Sequence, residues 1–517
     1  MKKLHYIIII LFMSLTSCKK VIDLYPESNL NTGTFYSNDA EVKAGLTGCY
    51  NGLQAPMSRE WQFTELRSDN SYMGSTGSTN SFNRDLSDLD EFIPATTNDG
   101  LYQYWLDTYY NIRNCNIVLQ KLGVNYDPAS GTISLSNIDI PISDVNRKQY
   151  AGEALFIRAY HFFNLVRLYG GVFLVHTPIS PTESKAMNRS SVADIYKFIV
   201  ADLSTAATYM NNLKFSQILP ANKGRATSWA AKALLGKVYL TQNKKAEAIP
   251  VLQDVATNSG YGLQTAGYAN VFSTTNELNS EILFAVSYKA GGLGLGSPFG
   301  NTFGPLGSSA DVINGSGSGW NTPTSSIDSF YTGADTRKAV SIAKYKPGTP
   351  QEVVYVKKYL TPVVITFDGE SDWPIIRYAD VLLMLAEAQG NTGTSVGYIS
   401  QIRVRAGLGS IAGAFATVAE FEKELVDQRR AEFAFENQRW FDLLRYKTTL
   451  TTIDPLQILK AHFAYEYAAH YITYTAPTPT LAFLQGNVTN DKLLLPIPQH
   501  EIDTNTQLVI AQNPGYN

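Results

Sequence analysis

Residues 225–257 read RATSWAAKALLGKVYLTQNKKAEAIPVLQDVAT, and this stretch predicts two helices that pack closely against each other. Gly236 on the first helix leaves space for the second helix, and Tyr239, about one turn later, fills the groove between them. Ala248 supplies the close contact from the second helix. Because small residues let two helices approach closely, the stretch predicts a helical hairpin.

This hairpin has the spacing of a tetratricopeptide unit. The offsets of that repeat are occupied by Leu235, Gly236, Tyr239, Ala248 and Leu252. The match is imperfect, because Lys232 stands where the repeat favours tryptophan. A looser copy occupies residues 378–406. Two imperfect copies beside several unmatched helix pairs predict a mostly α fold, an irregular tetratricopeptide-like helical repeat scaffold rather than a regular array.

Apolar residues at helical spacing predict further helices along the chain. One begins near Asp39, with Asn38 or Asp39 as its N-cap. Others are predicted over residues 101–122, 145–169 and 191–212, and a last pair near 418–446. Apolar side chains cover nearly the whole circumference of the 145–169 helix, so we expect it at the centre of the fold.

The character of the sequence changes between about residues 262 and 372, which predicts a loop-rich binding region with a few short strands. Residues 281–286 are strand-like, and residues 172–175 are predicted to form a short extended piece. Residues 291–319 form a long loop, rich in glycine and serine, that ends at Trp320. Long loops inside a compact domain are usually functional or mobile, and we expect this one to be flexible.

The N-terminus carries an export signal. Two lysines precede an apolar run over residues 7–13, which is too short to span a bilayer as a helix. Small residues then lead to Cys18, and this order predicts a secretory signal. The stretch Leu15-Thr16-Ser17-Cys18 is similar to a bacterial lipobox, in which an acylated Cys18 becomes the first mature residue. The alternative is an ordinary signal peptide with a chance cysteine.

These features divide the chain into three parts. Residues 1–17 are the predicted lipoprotein signal peptide, and residues 18–36 are a lipid-anchored tether. Residues 37–517 form a single domain in which helices are interleaved with the loop-rich region. No stretch after the signal approaches the length of a membrane helix, so the body is expected to be soluble and tethered.

The composition restricts the class of partner. Loss of the signal removes two of the 42 basic residues and none of the 45 acidic ones, leaving a net charge of −5. Charged residues make up only 17% of the chain, and no basic face is indicated, so nucleic acid is not an expected partner. Tyrosine (31) and phenylalanine (24) are plentiful. A polar, aromatic and weakly charged surface suits a neutral ligand.

No motif for catalysis or metal binding is present. The sequence lacks His-Glu-x-x-His, Gly-x-Ser-x-Gly and Cys-x-x-Cys. Cys49 and Cys115 are free to pair in an oxidising compartment or to remain thiols, and the sequence leaves both alternatives open. We therefore predict no catalytic residue, no metal site and no cofactor.

One charged stretch bears on whether the chain is an enzyme. Two arginines and two glutamates recur at helical spacing, namely Arg429, Glu432, Glu436 and Arg439. Glycosidases hold two carboxylates on opposite sides of a sugar bond, whereas residues four apart on one helix face the same way. Flanking arginines also keep both carboxylates ionised, which removes any general acid. We predict a structural ion-pair ladder along one side of a helix, and not an enzyme.

Several motifs in order along the chain resemble one known family. They are Arg225–Thr227, Arg377–Met384, Arg403–Gly407, Gln428–Leu443, Leu495–Pro498 and Asn513–Tyr516. Together with the lipobox they resemble the SusD/RagB family of outer-membrane lipoproteins, and the likeness covers nearly all of the mature chain.

The resemblance implies a nutrient-binding lipoprotein, exposed on the cell surface of a Bacteroidetes-type outer membrane. It implies a lid on a SusC-like TonB-dependent transporter, which captures oligosaccharides and delivers them for import without any chemistry. It also implies four tetratricopeptide-like units that support a loop-rich binding face. A peptide-binding RagB-like uptake protein is the alternative. An enzyme and a pure assembly protein are further rivals, and the glycan itself stays open.

Sugar binding needs flat aromatic faces and planar polar groups on a concave surface. Three predicted loops offer them, at residues 66–72, at residues 81–84 and at the end of the glycine- and serine-rich loop. The candidate ligand-binding residues are Asp69, Asn70, Tyr72, Phe82, Arg84 and Trp320. The resemblance also implies binding residues in the regions of Asp69, Asn70 and Trp320. The alternative for each is a turn residue or a loop anchor.

Overall fold

The structure, a computed structural model, describes residues 35–74, 81–473, 478–505 and 507–516. The predicted signal peptide, the lipidation residue Cys18 and most of the predicted tether lie outside the described residues. Among the described residues, no helix is both long and apolar enough to cross a membrane.

The described residues are mostly helical, with short strands between the helices. The helices are α1 Asp39–Asn51, α2 Gln54–Thr64, α3 Ser81–Asp90, α4 Asp99–Lys121, α5 Asp144–Tyr169, α6 Pro181–Ser184, α7 Val192–Tyr209, α8 Ser228–Thr241, α9 Lys245–Asn258, α10 Phe299–Phe303, α11 Ser325–Phe330, α12 Arg337–Ser341, α13 Tyr378–Gln389, α14 Gly393–Arg405, α15 Val418–Glu432, α16 Arg439–Thr449, α17 Pro455–Glu466, α18 Leu481–Asn487 and α19 Gln499–Thr504. The strands are β1 Ser71–Tyr72, β2 Val124–Asp127, β3 Thr132–Leu135, β4 Ile282–Val286, β5 Thr322–Pro323, β6 Ile342–Tyr345, β7 Val353–Val356 and β8 Trp373–Arg377.

The helices pack as a continuous array of neighbours. In spatial order the array runs α4, α5, α7, α8, α9, α13 and α14, with α15 against the last two. Helix α5 is buried along most of its 26 residues, which confirms its predicted central place. Asn38 caps α1 by accepting a hydrogen bond from the backbone N–H of Glu41, as the sequence predicted. The mostly α, irregular tetratricopeptide-like scaffold is confirmed.

The hairpin formed by α8 and α9 packs as its sequence predicts. A Cβ added at Gly236 would lie 2.4 Å from Cδ2 of Leu252, so a glycine is needed where the two helices meet. Ala248 is fully buried at the same contact. Three tryptophans on helices are also buried, namely Trp105, Trp229 and Trp440.

The strands form two-stranded antiparallel pairs within the described part of the chain: β1 with β5, β2 with β3, β4 with β8, and β6 with β7. Strand β4 confirms the predicted strand at 281–286. Residues 172–175 are not a strand, because side chains take up their backbone groups. The carbonyl of Phe173 accepts the Tyr109 hydroxyl, and the carbonyl of Val175 accepts the Asn116 amide.

The predicted ion-pair ladder is wrong in its geometry. Helix α15 ends at Glu432 and α16 begins at Arg439, so the four charged residues do not share one helix. Phe435 and Asn437, in the turn between the helices, have φ values of 64° and 60°. The charged groups pair with residues elsewhere: Glu432 and Glu436 with Arg377, Arg429 with Asp380 and Asp442, and Arg439 with Asp69.

The glycine- and serine-rich loop also differs from its predicted form. It contains the short helix α10, and its second half is hydrogen-bonded back onto that helix. The amide of Asn301 donates to the carbonyls of Asn314 and Ser316, and the Ser318 N–H donates to the Asn301 carbonyl. These bonds satisfy backbone groups that would otherwise require water, so the loop is built into the fold. Cys49 and Cys115 are buried free thiols.

Candidate functional site

Strands β1 and β5 bring together two parts of the chain that are far apart in sequence. Their antiparallel pairing places Tyr72 opposite Thr322, two residues beyond Trp320. The two aromatic candidates therefore lie near each other, one from the segment after α2 and one from the end of the glycine- and serine-rich loop. The pairing brings both segments into the same part of the fold.

Trp320 is held in a defined orientation. Its ring lies parallel to that of Trp61, with centroids 6.2 Å apart and an interplanar angle of 16°. Its indole N–H donates to Oδ1 of Asn83 over 3.1 Å, and its backbone N–H donates to the Thr302 carbonyl. Trp61 is fully buried while Trp320 is half-buried, so Trp61 serves as the support for a partly exposed ring.

Tyr72 is stacked on a histidine that the sequence did not single out. The ring centroids of Tyr72 and His470 are 3.7 Å apart, with an interplanar angle of 20°. Nε2 of His470 lies 2.6 Å from Oε2 of Glu466. Burial, with the carboxylates of Glu466 and Asp90 nearby, raises the pKa of Tyr72 well above its usual range. The Tyr72 phenol therefore stays protonated even in alkaline solution.

The predicted loop at 81–84 is instead the start of helix α3. Arg84 is exposed there and pairs with Asp88 one turn later, at 2.8 Å. The side chain of Phe82 lies outside the described residues. Asn83, whose side chain was not among the candidates, provides the acceptor for the Trp320 indole. We call the surface formed by Tyr72, Asn83, Arg84, Trp320 and His470 the Trp320 ledge.

Asp69 and Asn70 are turned into the protein. Asp69 is 5% exposed, and its two carboxylate oxygens accept hydrogen bonds from Arg439 at 2.7 and 2.9 Å. The fully buried Asn70 accepts a bond from Arg430 at 2.8 Å. Their carbonyls accept bonds from Thr324, next to β5. In this geometry Asp69 and Asn70 hold the strands that carry Tyr72 and Trp320, so we assign them a positioning role.

Two family models match the two halves of the chain. The family model described as "SusD family" matches residues 312–516, which contain Trp320 and His470. A second model, "Starch-binding associating with outer membrane", matches residues 22–240, which contain Tyr72. The chain belongs to the SusD-like family.

Known SusD-like proteins match along the whole chain. SusD-like protein P2 of Formosa agariphila is 25% identical over 100% of both chains. Among solved structures, a laminarin-binding SusD-like protein is 24% identical with a TM-score of 0.73, covering 93% of this chain and 100% of the other. Surface glycan-binding protein A from Bacteroides thetaiotaomicron, in complex with laminarihexaose, is 18% identical with a TM-score of 0.71, covering 92% and 99%. Both structures share the fold.

SusD-like proteins bind ligands and are not enzymes. The environments of two glutamates in this chain agree with a role in binding rather than in catalysis. Glu432 and Glu436 are buried against Arg377, and the arginines that surround Glu432 hold its pKa well below the usual range although burial alone would raise it. Such a carboxylate supplies no general acid. Among the described residues, no group of three His, Cys, Asp or Glu side chains is arranged to hold a metal ion.

The Asp69–Arg439 pair predicts a pH-dependent stability of this SusD-like protein. Burial alone would raise the Asp69 pKa, but Arg430 and Arg439 hold it well below its usual range. Because the folded pKa is lower than the unfolded one, the stabilisation is present above about pH 4 and is lost as the pH falls. We expect Asp69→Asn to lower the unfolding free energy at pH 7 by about 1.5–3 kcal/mol.

The difference between the wild type and Asp69→Asn should shrink as the pH is lowered from about 5 to about 3. Urea unfolding at each pH measures it. Asp427→Asn, which removes the partner of the exposed Lys423, is the matched control, with an expected change below about 0.5 kcal/mol. An Asp69→Asn effect of the same size at every pH would contradict the assigned ion pair.

Proposed function

We propose that this chain captures oligosaccharides at the Trp320 ledge and delivers them to a SusC-like TonB-dependent transporter in the outer membrane. The observation that carries the proposal is the partly exposed Trp320 ring, which is stacked on Trp61 and lies two residues before Thr322, the strand partner of Tyr72, in a SusD-like chain. An oriented ring of this kind gives a pyranose an apolar surface at little entropic cost.

The polar groups of the ledge suit an uncharged, hydroxyl-rich ligand. Among the ledge residues, the Tyr72 phenol, the Asn83 amide and the guanidinium of the exposed Arg84 are groups of the kind that pair with hydroxyls. The weak overall charge of the chain, 42 basic against 45 acidic residues, agrees with a neutral ligand. A glucan is the first class to test, because one structural neighbour binds laminarin and another holds laminarihexaose.

The membrane part of the proposal rests on the N-terminal sequence. The lipobox-like stretch before Cys18 supports acylation there, and the matching family model carries the description "associating with outer membrane". More than one acyl chain at a single cysteine would give a lasting anchor. The cell-surface location and the transporter partner follow from the family resemblance and are part of this proposal.

The experiment is a calorimetric titration of the soluble form that lacks residues 1–18. The probes are laminarihexaose, maltohexaose, cellohexaose and a mixture of short peptides, and chromatography after each titration checks for cleavage products. We expect saturable binding of at least one oligosaccharide without any product. Binding of peptides but of no oligosaccharide would overturn the proposal in favour of a RagB-like peptide carrier, and product formation would indicate an enzyme.

A further inference from the structure

A second concave site lies beside helix α4, separate from the Trp320 ledge. Trp105 and Tyr109 line it from α4, and Phe173 faces them from the irregular segment after α5. Glu501 of α19 closes the other side, and Arg113 lies one helical turn beyond Tyr109. The cavity measures about 400 Å³, which is within the range of small-ligand sites. We call it the Trp105 cleft.

The rings of the Trp105 cleft are fixed by contacts within the protein. The ring centroid of Trp105 lies 5.0 Å from that of Tyr109 and 6.0 Å from that of Phe173. The planes of the Trp105 and Phe173 rings are at 90° to each other. The Tyr109 hydroxyl donates to the Phe173 carbonyl over 2.9 Å, which ties the two walls together. A site whose walls are already ordered loses little conformational entropy when a ligand enters.

Polar groups converge on these rings. Burial raises the pKa of the Glu501 carboxyl, although His500 and the neighbouring Trp105 side chain lower it. Arg113 is exposed at the wall, and within the described part of the chain no carboxylate lies within ion-pair distance of it. The cleft thus combines a planar acceptor and a planar donor with the half-buried rings of Tyr109 and Phe173, behind which Trp105 is buried, and such a combination suits sugar hydroxyls and C–H faces.

We propose that the Trp105 cleft is a second carbohydrate-binding site, which holds another part of the polysaccharide whose first part occupies the Trp320 ledge. This inference rests on the proposed function. The two sites share no residue, so each binds a short oligosaccharide independently. A polymer long enough to reach both sites gains avidity, because its second contact forms at a high effective concentration.

One carboxylate, Glu501, and two cations, Arg113 and Lys185, line the cleft, and hydroxyl groups, which both donate and accept, can pair with either sign. An apolar peptide side chain would fill the ring-lined volume but would take water from the half-buried Glu501 carboxyl without replacing it. That cost favours the carbohydrate, because buried polar groups that lose water need replacement partners. The peptide is therefore an outcome that the test must distinguish.

The test uses the mature soluble chain with two cleft variants, Phe173→Ala and Glu501→Gln. Glu501→Gln keeps the shape of the side chain and so guards against a folding failure of Phe173→Ala. Tyr110→Ala is the matched control, since Tyr110 is on the same helix, is 64% exposed and does not line the cleft. Retention in native gels that contain laminarin or soluble starch reports polymer binding, and calorimetry with laminarihexaose or maltohexaose gives the stoichiometry.

We expect two oligosaccharide molecules per wild-type chain and one per cleft variant. Polymer affinity should fall by about tenfold or more in both cleft variants and remain unchanged in Tyr110→Ala. Polysaccharide binding that Trp320→Ala abolishes but that neither cleft variant changes would overturn this inference and leave the proposed function intact. Selective binding of apolar peptides in the cleft would also overturn it. Failure of the wild type to bind any of these glycans would remove the proposed function itself.

Discussion

Replacing Arg377 with methionine is expected to lower the unfolding free energy by at least about 3–5 kcal/mol, or to prevent folding. Arg377, at the end of β8, is 1% exposed. Its guanidinium pairs with Glu281, Glu432 and Glu436 at 2.7 to 2.8 Å. The variant would leave these buried carboxylates with fewer cations, and a buried charge without a partner is far more costly than the original pair.

Neighbouring cations limit the expected loss of unfolding free energy but do not remove it. Arg405 also pairs with Glu281, and Lys358 pairs with Glu436 at 2.9 Å. Both already serve these carboxylates, so neither can replace the fork of hydrogen bonds that Arg377 provides. We therefore expect the variant to unfold at much lower urea concentration or to be recovered only as aggregate.

Urea unfolding followed by circular dichroism measures this effect. The matched control is Lys423→Met, which breaks an ion pair with Asp427 on the exposed face of α15, where the Lys423 side chain is 74% exposed. It should change the unfolding free energy by no more than about 0.5 kcal/mol. Similar small losses in both variants would show that the buried network contributes little to stability.

The sequence predicted the parts of the fold that depend on local spacing. The α8–α9 hairpin is one of them, because Gly236 and Leu252 meet within a single hairpin. The structure of the charged segment 428–443 was harder to predict, because nothing in its residue spacing shows that the helix stops at Glu432. Two residues with positive φ break the helix there and turn the charged groups toward partners on distant elements.

The candidate site also contains some residues that the sequence could predict and others that it could not. Trp320 and Tyr72 could be predicted from residue type and loop position, and the structure brings their segments together. Asp69 has the residue type of a ligand group, but its partner Arg439 lies far along the chain, so burial and pairing were invisible in the sequence. His470 gave no signal, because its stack on Tyr72 arises from the tertiary fold.

Trp320→Ala is expected to weaken oligosaccharide binding by about ten- to a hundredfold, which corresponds to about 1.4–2.8 kcal/mol. The ring is the largest apolar surface of the ledge, and Trp61 behind it fixes its orientation. Removing it takes away both the stacking surface and the shield that excludes water from the polar contacts beside it. Calorimetry at 25 °C with the best oligosaccharide of the screen measures the change.

One further variant separates the effect of the ring face from that of the indole hydrogen bond, and another serves as a control. Trp320→Phe keeps an aromatic ring but loses the indole N–H that donates to Asn83, so it should recover part of the lost affinity. Phe483→Ala, which removes an exposed ring on α18, should bind like the wild type. Full affinity in Trp320→Ala would move the binding site away from the ledge. Equal losses in Trp320→Ala and Trp320→Phe would show that the bond to Asn83, rather than the ring face, positions the ligand.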